Sequence, residues 1–305
     1  MKRKILKMGT RGSALARAQA EQTADALRRL HPGLAVETVV IETSGDRFAA
    51  GPFQKAAGDL AGDRGVKGLF VKEIEQALLE ERIDFAVHSA KDLPEQLAQG
   101  LIVGAYPERE DPRDVFVGRP GVSWADLPPR AKIGTSSLRR KLQILAAHPG
   151  AVIVALRGNV DTRLRKISLE GLDGIILAAA GLRRLGKNDV AADPISPEII
   201  VPAPGQGALA VEIRAGDLEL RDALKLLDHP RTRLEVECER AFSAESGGGC
   251  SSPVGALARA ENAGLSLRVF WAAGENSPVR RWMKTCLDAR RWTELAAEAA
   301  QAVKP

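Results

Sequence analysis

Short apolar strands alternate with amphipathic helices along most of the chain, and this alternation restricts the fold more than any other feature. Ile5–Gly9 reads as a strand and Ala14–Leu30 as a helix, with Leu15, Ala18, Leu27 and Leu30 near one face. A β-branched run follows at Val36–Ile41, an amphipathic helix at Val71–Arg82 with Ile74, Leu78 and Leu79 on one side, and a short strand at Phe85–Val87. The proline- and charge-rich stretch 107–114 marks a boundary. Beyond it the pattern restarts, with strands at Ala131–Gly134, Val152–Leu156 and Gly174–Ala178 and helices at Ser137–Ala147 and Thr162–Ile167. Alternation of this kind predicts parallel sheets with right-handed crossovers. Glycine-rich residues 45–68 show little periodicity and read as a mobile surface loop.

A second boundary lies at Val201–Gly205. The strand Ala208–Ile213 beyond it suits the first sheet or the second equally. The remaining residues change character: a helix, a glycine run, three strands near 254–260, 265–272 and 279–287, then a terminal helix. That is an α+β unit. The 305 residues suffice for two or three cores. No apolar stretch approaches the ~20 residues needed to cross a bilayer. The start, Lys2-Arg3-Lys4 before Ile5–Gly9, is too charged for a signal-peptide core, so a cytoplasmic protein is expected.

Cys238, Cys250 and Cys286 form no CxxC pair and no zinc-type spacing, so neither a disulfide framework nor a metal is expected. Histidines directly before proline read as turn residues. The formal charge of +5 is modest, and aromatics make up only 4% of the chain, which argues against a nucleic-acid binder. The arginines instead recur beside glycine, serine and threonine, in a pattern suited to small anions.

Three turns carry that pattern: Gly9-Thr10-Arg11-Gly12-Ser13, Gly134-Thr135-Ser136-Ser137-Leu138-Arg139-Arg140, and Arg157-Gly158-Asn159-Val160-Asp161-Thr162-Arg163. Each puts hydroxyls and free N–H groups where a helix begins, which is a ready anion site. Arginine there opposes the helix dipole, a conflict that a bound carboxylate offsets. Ser136, Asn159 and Asp161 also qualify as simple N-caps beside solvated arginines.

Two further residues stand out, each with two readings. Cys250 follows Gly247-Gly248-Gly249, which leaves its sulfur unshielded and suits a nucleophile, or else marks a hinge with an incidental thiol. Asp92 ends His88-Ser89-Ala90-Lys91-Asp92 and precedes Leu93-Pro94-Glu95. As Asp-x-x-Glu it also reads as a capping box.

In combination these segments resemble one family. Gly68–Glu73, His88–Pro94, Gly134–Arg140, Arg157–Arg163, Ala179–Leu185, Pro204–Ala208 and Gly249-Cys250 occur in the order seen in porphobilinogen deaminases, over almost the whole chain. The sequence departs from the family pattern at Ala90, where methionine is usual, at Ser246 and Ser252 around the cysteine, and at Asp63, where lysine is common. Arg64 and Lys67 remain as nearby cations.

The resemblance implies two periplasmic-binding-protein-like domains with mixed, mainly parallel sheets and a smaller C-terminal α+β domain. Their spans would be 1–109 with 204–226, then 110–203, then 227–305. It implies a dipyrromethane held covalently on Cys250, to which four porphobilinogens add with loss of ammonia. Asp92 is implied as the catalytic carboxylate. Lys91, Asp92, Thr135, Ser136, Ser137, Arg139, Arg140, Arg157, Gly158 and Arg184 would bind the cofactor. Arg11, Ser13, Lys67, Arg157, Arg163 and Gln206 would bind substrate. No metal, nucleic acid or membrane is implied, and the protein would be a monomer. The alternative is a non-catalytic anion-binding protein of the same fold, which would have no use for Cys250.

Overall fold

A computed structural model describes residues 3–49, 65–247 and 253–304. The chain opens with β1 (Ile5–Thr10), α1 (Ala14–Leu30), β2 (Ala35–Val40), α2 (Ser44–Ala49), α3 (Gly65–Leu79), β3 (Phe85–Ser89), a 3-10 turn at Ala90–Asp92 and β4 (Leu101–Ala105). It continues through β5 (Asp114–Gly118), β6 (Lys132–Gly134), α4 (Leu138–Ala147), β7 (Val152–Val154), α5 (Val160–Leu169), β8 (Gly174–Ala178), α6 (Ala179–Arg184) and β9 (Asp193–Pro194). The last part holds β10 (Leu209–Arg214), α7 (Leu218–Leu224), α8 (Pro230–Glu245), β11 (Val254–Glu261), β12 (Gly264–Trp271), β13 (Arg280–Cys286) and α9 (Trp292–Val303).

Two five-stranded sheets share one plan. Their orders are β2-β1-β3-β10-β4 and β7-β6-β8-β5-β9. In each, three strands pair in parallel, and one strand runs against its neighbours: β10 in the first sheet and β5 in the second. Each antiparallel strand is the first one after the chain has passed from one sheet to the other. The parallel pairing expected from the alternation holds for three strands of each sheet, the mixed architecture is the one the resemblance implies, and β10 belongs to the first sheet. A third sheet, β11-β12-β13, is wholly antiparallel and carries α8 and α9 on one face around Phe242, Leu267, Val269 and Leu295.

Local sequence explains the elements, with corrections. Ser13 caps α1 by accepting from the Ala16 N–H, and His31 ends it before Pro32. The buried face of α1 is Ala20, Thr23, Ala24 and Leu27, whereas Leu30 is exposed. Small residues there let the helix lie close to the sheet. The third helix begins at Gly65 and residues 44–49 are helical, so the loop expected over 45–68 is shorter. Its central part lies outside the described residues. Packing overrides the low helix propensity of glycine at these ends. His31 and His148 close helices, and His229 caps α8. His88 instead lies buried on β3, with Nε2 3.0 Å from Glu212. No helix among the described residues is long and apolar enough to cross a membrane.

Candidate active site at the crossing of the two sheets

The sheets are joined by two chain segments running side by side, one before β5 and one before β10. The Glu110 N–H donates to the Gly207 carbonyl at 3.2 Å, and Gln206 Nε2 donates to the Pro112 carbonyl at 2.8 Å. Gly207 has a φ of +87°, and a Cβ there would lie 2.4 Å from the Glu110 oxygen. Only glycine fits both demands. Beneath the crossing, Glu239 on α8 accepts from Arg109 at 2.7 and 2.9 Å, from the Gly205 N–H at 2.7 Å and from the Ala258 N–H at 2.9 Å. One buried carboxylate thus ties both crossings to the third sheet. Burial pushes its pKa up, against the pull of Arg109.

The predicted cations gather above this crossing. Ser137 caps α4 by accepting from the Arg140 N–H, while Ser136 Oγ bridges to the Leu156 backbone at 2.9 Å in both directions. Ser137, not Ser136, is therefore the cap. Thr135 is buried and accepts from the Ser137 N–H. Arg139 and Arg140 begin α4 and turn inward onto one acid, Asp114 of β5, which is wholly buried. Burial alone would raise the Asp114 pKa. The two guanidiniums outweigh it and hold the carboxyl well below the usual range. Sequence reading missed this residue, because the run ending in Asp114 looked like a solvated boundary.

Asn159 caps α5, and Arg163 Nε donates to the Gly158 carbonyl at 2.7 Å, where φ is +112°. Asp161 is exposed and paired with Lys187, so it is not the cap. Burial, then the charge of Arg140, lowers the pKa of Arg163, so the two arginines face common space. Arg157 is exposed. Arg184 donates to the Gly207 carbonyl at 2.7 Å. Its Nε is buried without a partner among the described residues, and desolvation draws its pKa down to about 10. Gln206 is buried, with Oε1 likewise unpartnered among the described residues.

Lys91 and Asp92 enter from the 3-10 turn after β3. No helix starts at Asp92: Glu95, the other half of the expected capping box, accepts from Ser243 instead. Asp92 is half-buried and has no hydrogen bond or ion pair with any described residue. Desolvation lowers the pKa of Lys91, and the charges of Arg140 and Arg139 add to this, while Asp92 and Asp114 oppose it. Lys91 is thus within electrostatic reach of Asp92, Arg139, Arg140 and Asp114, and Arg163 within reach of Arg140.

The first turn is placed differently. α1 packs against α6 of the other sheet, and a Cβ on Gly181 would lie 3.9 Å from Leu15. Ser13 is exposed. Arg11 is half-buried, forked onto Asp46 of α2 and stacked 4.4 Å above the Phe70 ring. Cys250 and the side chain of Lys67 lie outside the described residues. Burial pushes the Cys238 thiol up to about 12, and Cys286 donates to the Asp288 carbonyl at 3.3 Å. Among the described residues no group of acids, histidines and cysteines could hold a metal.

Comparison with known proteins gives a consistent picture. Residues 6–222 match the family model "Porphobilinogen deaminase, dipyromethane cofactor binding domain", and residues 233–301 match "Porphobilinogen deaminase, C-terminal domain". The chain is 48% identical over 278 residues to a porphobilinogen deaminase of Roseiflexus sp. (strain RS-1), covering 91% of this chain and 89% of that one. It is 47% identical to one from Moorella thermoacetica, covering 90% and 86%. Among solved structures, a Salmonella typhimurium periplasmic binding protein with high arginine specificity aligns with a TM-score of 0.40 and 16% identity, covering 75% and 95%.

Proposed function

Because the chain belongs to the porphobilinogen deaminase family, we propose that Asp92 is its catalytic carboxylate, and that the cations around it hold the carboxylates of cofactor and substrate. The chain joins four porphobilinogens into the linear tetrapyrrole hydroxymethylbilane on a dipyrromethane, releasing ammonia, in tetrapyrrole biosynthesis. Every pyrrole involved carries an acetate and a propionate, so the cleft must take two carboxylates per ring.

The residues present suit such a group. Among the described residues the buried Arg184 Nε finds no acceptor and the buried Gln206 Oε1 no donor. Both kinds of group occur on an acidic dipyrrole, which has carboxylates and ring N–H groups. When bound, the dipyrromethane supplies the electron-rich pyrrole carbon to which porphobilinogen is joined. Cys250 would hold it through a thioether, with Arg139, Arg140, Arg184, Lys91 and the Thr135–Ser137 turn on its carboxylates. Arg11, Ser13, Arg163, Gln206 and Lys67 would receive substrate, and Arg157 with Gly158 would serve where the two meet.

Loss of ammonia leaves positive charge on the substrate pyrrole. Asp92, with its carboxylate not engaged by any described residue, would stabilise that charge and then take the ring-carbon proton. The domain spans proposed are 1–109 with 204–226, 110–203 and 227–305, in a cytoplasmic monomer.

The observation that carries this reading is an acid without a partner among the described residues, set among paired and desolvated cations. Asp92→Asn tests it. The amide preserves shape but neither neutralises a cation nor accepts a proton. Turnover should fall ~10²–10⁴-fold with cofactor content and thermal midpoint retained. Near-normal turnover would assign Asp92 a structural role only.

A further inference from the structure

The 3-10 turn that carries Lys91 and Asp92 is gripped at both ends by one helix, α8, which leads in sequence to Cys250. At its start, the second crossing lies against it: a Cβ on Gly205 would stand 3.0 Å from the Ala90 carbonyl carbon and 3.1 Å from the Lys91 nitrogen. The Gly205 N–H donates in turn to Glu239 of α8 at 2.7 Å. At its end, the next residue of α8, Arg240, donates from Nη2 to the carbonyls of Pro94 and Glu95, at 2.7 and 3.3 Å. Arg240 is half-buried, beside a groove lined by Leu97, Gln99, Tyr106 and Glu237, and stands apart from the arginines assigned to carboxylates.

The stretch after Asp92 depends on this contact. Pro94 has no N–H to donate, and among the described residues no backbone N–H donates to its carbonyl. Leu93 is fully buried in a cluster with Val236 of α8, Ala90, Tyr106 and Ala208. Burial of that kind is non-directional, so it holds the stretch down without setting where along α8 it sits. A charged donor on a backbone carbonyl is stronger and directional. Val236, Arg240 and Ser243 recur at helical spacing and so face the stretch from one side of α8. Ser243 Oγ donates to the Glu95 side chain at 3.2 Å, which leaves the backbone to Arg240.

We propose that Arg240 is a positioning residue for the reaction: it fixes the spacing between the Asp92 turn and the helix that leads to the cofactor cysteine. The proposal rests on reading Asp92 as the catalytic carboxylate. Asp92 must meet a pyrrole whose place is set from Cys250, so an error in the spacing between α8 and the turn becomes an error in proton transfer. Reacting atoms must stand ~3–3.5 Å apart, and a misplacement of ~1 Å costs on the order of 10²-fold. The arginines that hold carboxylates keep their own mounts, so substrate affinity is spared.

Cofactor-loaded variants, with loading checked by intact mass, are compared in steady-state rate on porphobilinogen, thermal midpoint and amide exchange across residues 90–95. Arg240→Ala should lower kcat about tenfold or more, leave KM within about twofold, and speed exchange at Lys91, Asp92 and Leu93. Arg240→Lys keeps a charged donor without the fork and should fall between. Ser243→Ala removes a contact at the same junction without releasing the carbonyls, so it should lower the midpoint slightly with kcat and exchange at the parent level. Added to Asp92→Asn, Arg240→Ala should slow turnover no further, because its effect passes through that carboxylate. A simple staple between α8 and the first sheet predicts instead a lower midpoint at parent kcat. Parent kcat in Arg240→Ala overturns the proposal, as does unchanged exchange, or a slowing of the Asp92→Asn enzyme as large as that of the parent. Should Arg240→Ala not fold, parent kcat in Arg240→Lys overturns it. If Asp92→Asn itself turns over normally, the assignment of Asp92 fails instead.

Discussion

Asp92 and Asp114 are carboxylates of the same cationic cleft held in opposite ways. One has no hydrogen bond or ion pair with any described residue, while the other accepts four hydrogen bonds from three side chains. Because Asp114 is ionised far more readily in the fold than in the open chain, its contribution to stability is full above its ordinary value of 3.8. It is lost as pH falls below that value. Acid titration of the melting midpoint should therefore steepen below about pH 4, and Asp114→Asn should flatten that limb while lowering stability near neutrality. Cys250→Ser should give a folded protein without a pyrrole adduct, since serine is much the poorer nucleophile. The adduct should persist in Cys238→Ser, whose parent thiol is buried and pushed up to about 12. An adduct of unchanged mass on Cys250→Ser would place the linkage elsewhere. Of the caps read from local sequence, Asn159 holds, whereas Ser136 yields to its neighbour Ser137 and Asp161 pairs with Lys187 instead. Asp114 was not legible, because nothing in a charged run tells which acid is buried.

The elements divide in the same manner. Helices with side-chain caps, such as α1 and α4, and strands of β-branched residues were readable to within a residue or two. β4 and β5 escaped notice: Leu101–Ala105 contains a glycine, and Asp114–Gly118 begins with the buried acid, so each depends on its neighbours in the sheet. The two crossings were visible only as proline and glycine, although their contacts carry the architecture. Gly207→Ala tests this. It forces a side chain into a left-handed conformation and against the Glu110 oxygen, so it should cost at least ~1–3 kcal/mol in urea unfolding. Gly186, also at positive φ but with nothing within 4 Å of a Cβ, provides the control in which strain acts without contact.

At the scale of the whole molecule, Glu239 joins three sheets through Arg109, Gly205 and Ala258. Glu239→Ala would leave Arg109 buried without its fork partner, and a loss of ~3–5 kcal/mol is expected from equilibrium unfolding. The double replacement with Arg109→Ala should cost less than the sum of the single ones, since each single change strands the other's charge. Additive losses would show that the two act independently. The position of β10 has a consequence during synthesis. It lies between β3 and β4, so β4, at residues 101–105, has no partner strand until residues 209–214 have been made. At ~5–20 residues per second, that strand waits on the order of 5–20 s. The second sheet spans 114–194 without interruption and can close during that interval. The lobe that leaves the ribosome first is therefore completed after the second one, with the exposed edges of β3 and β4 as its point of exposure to chaperones.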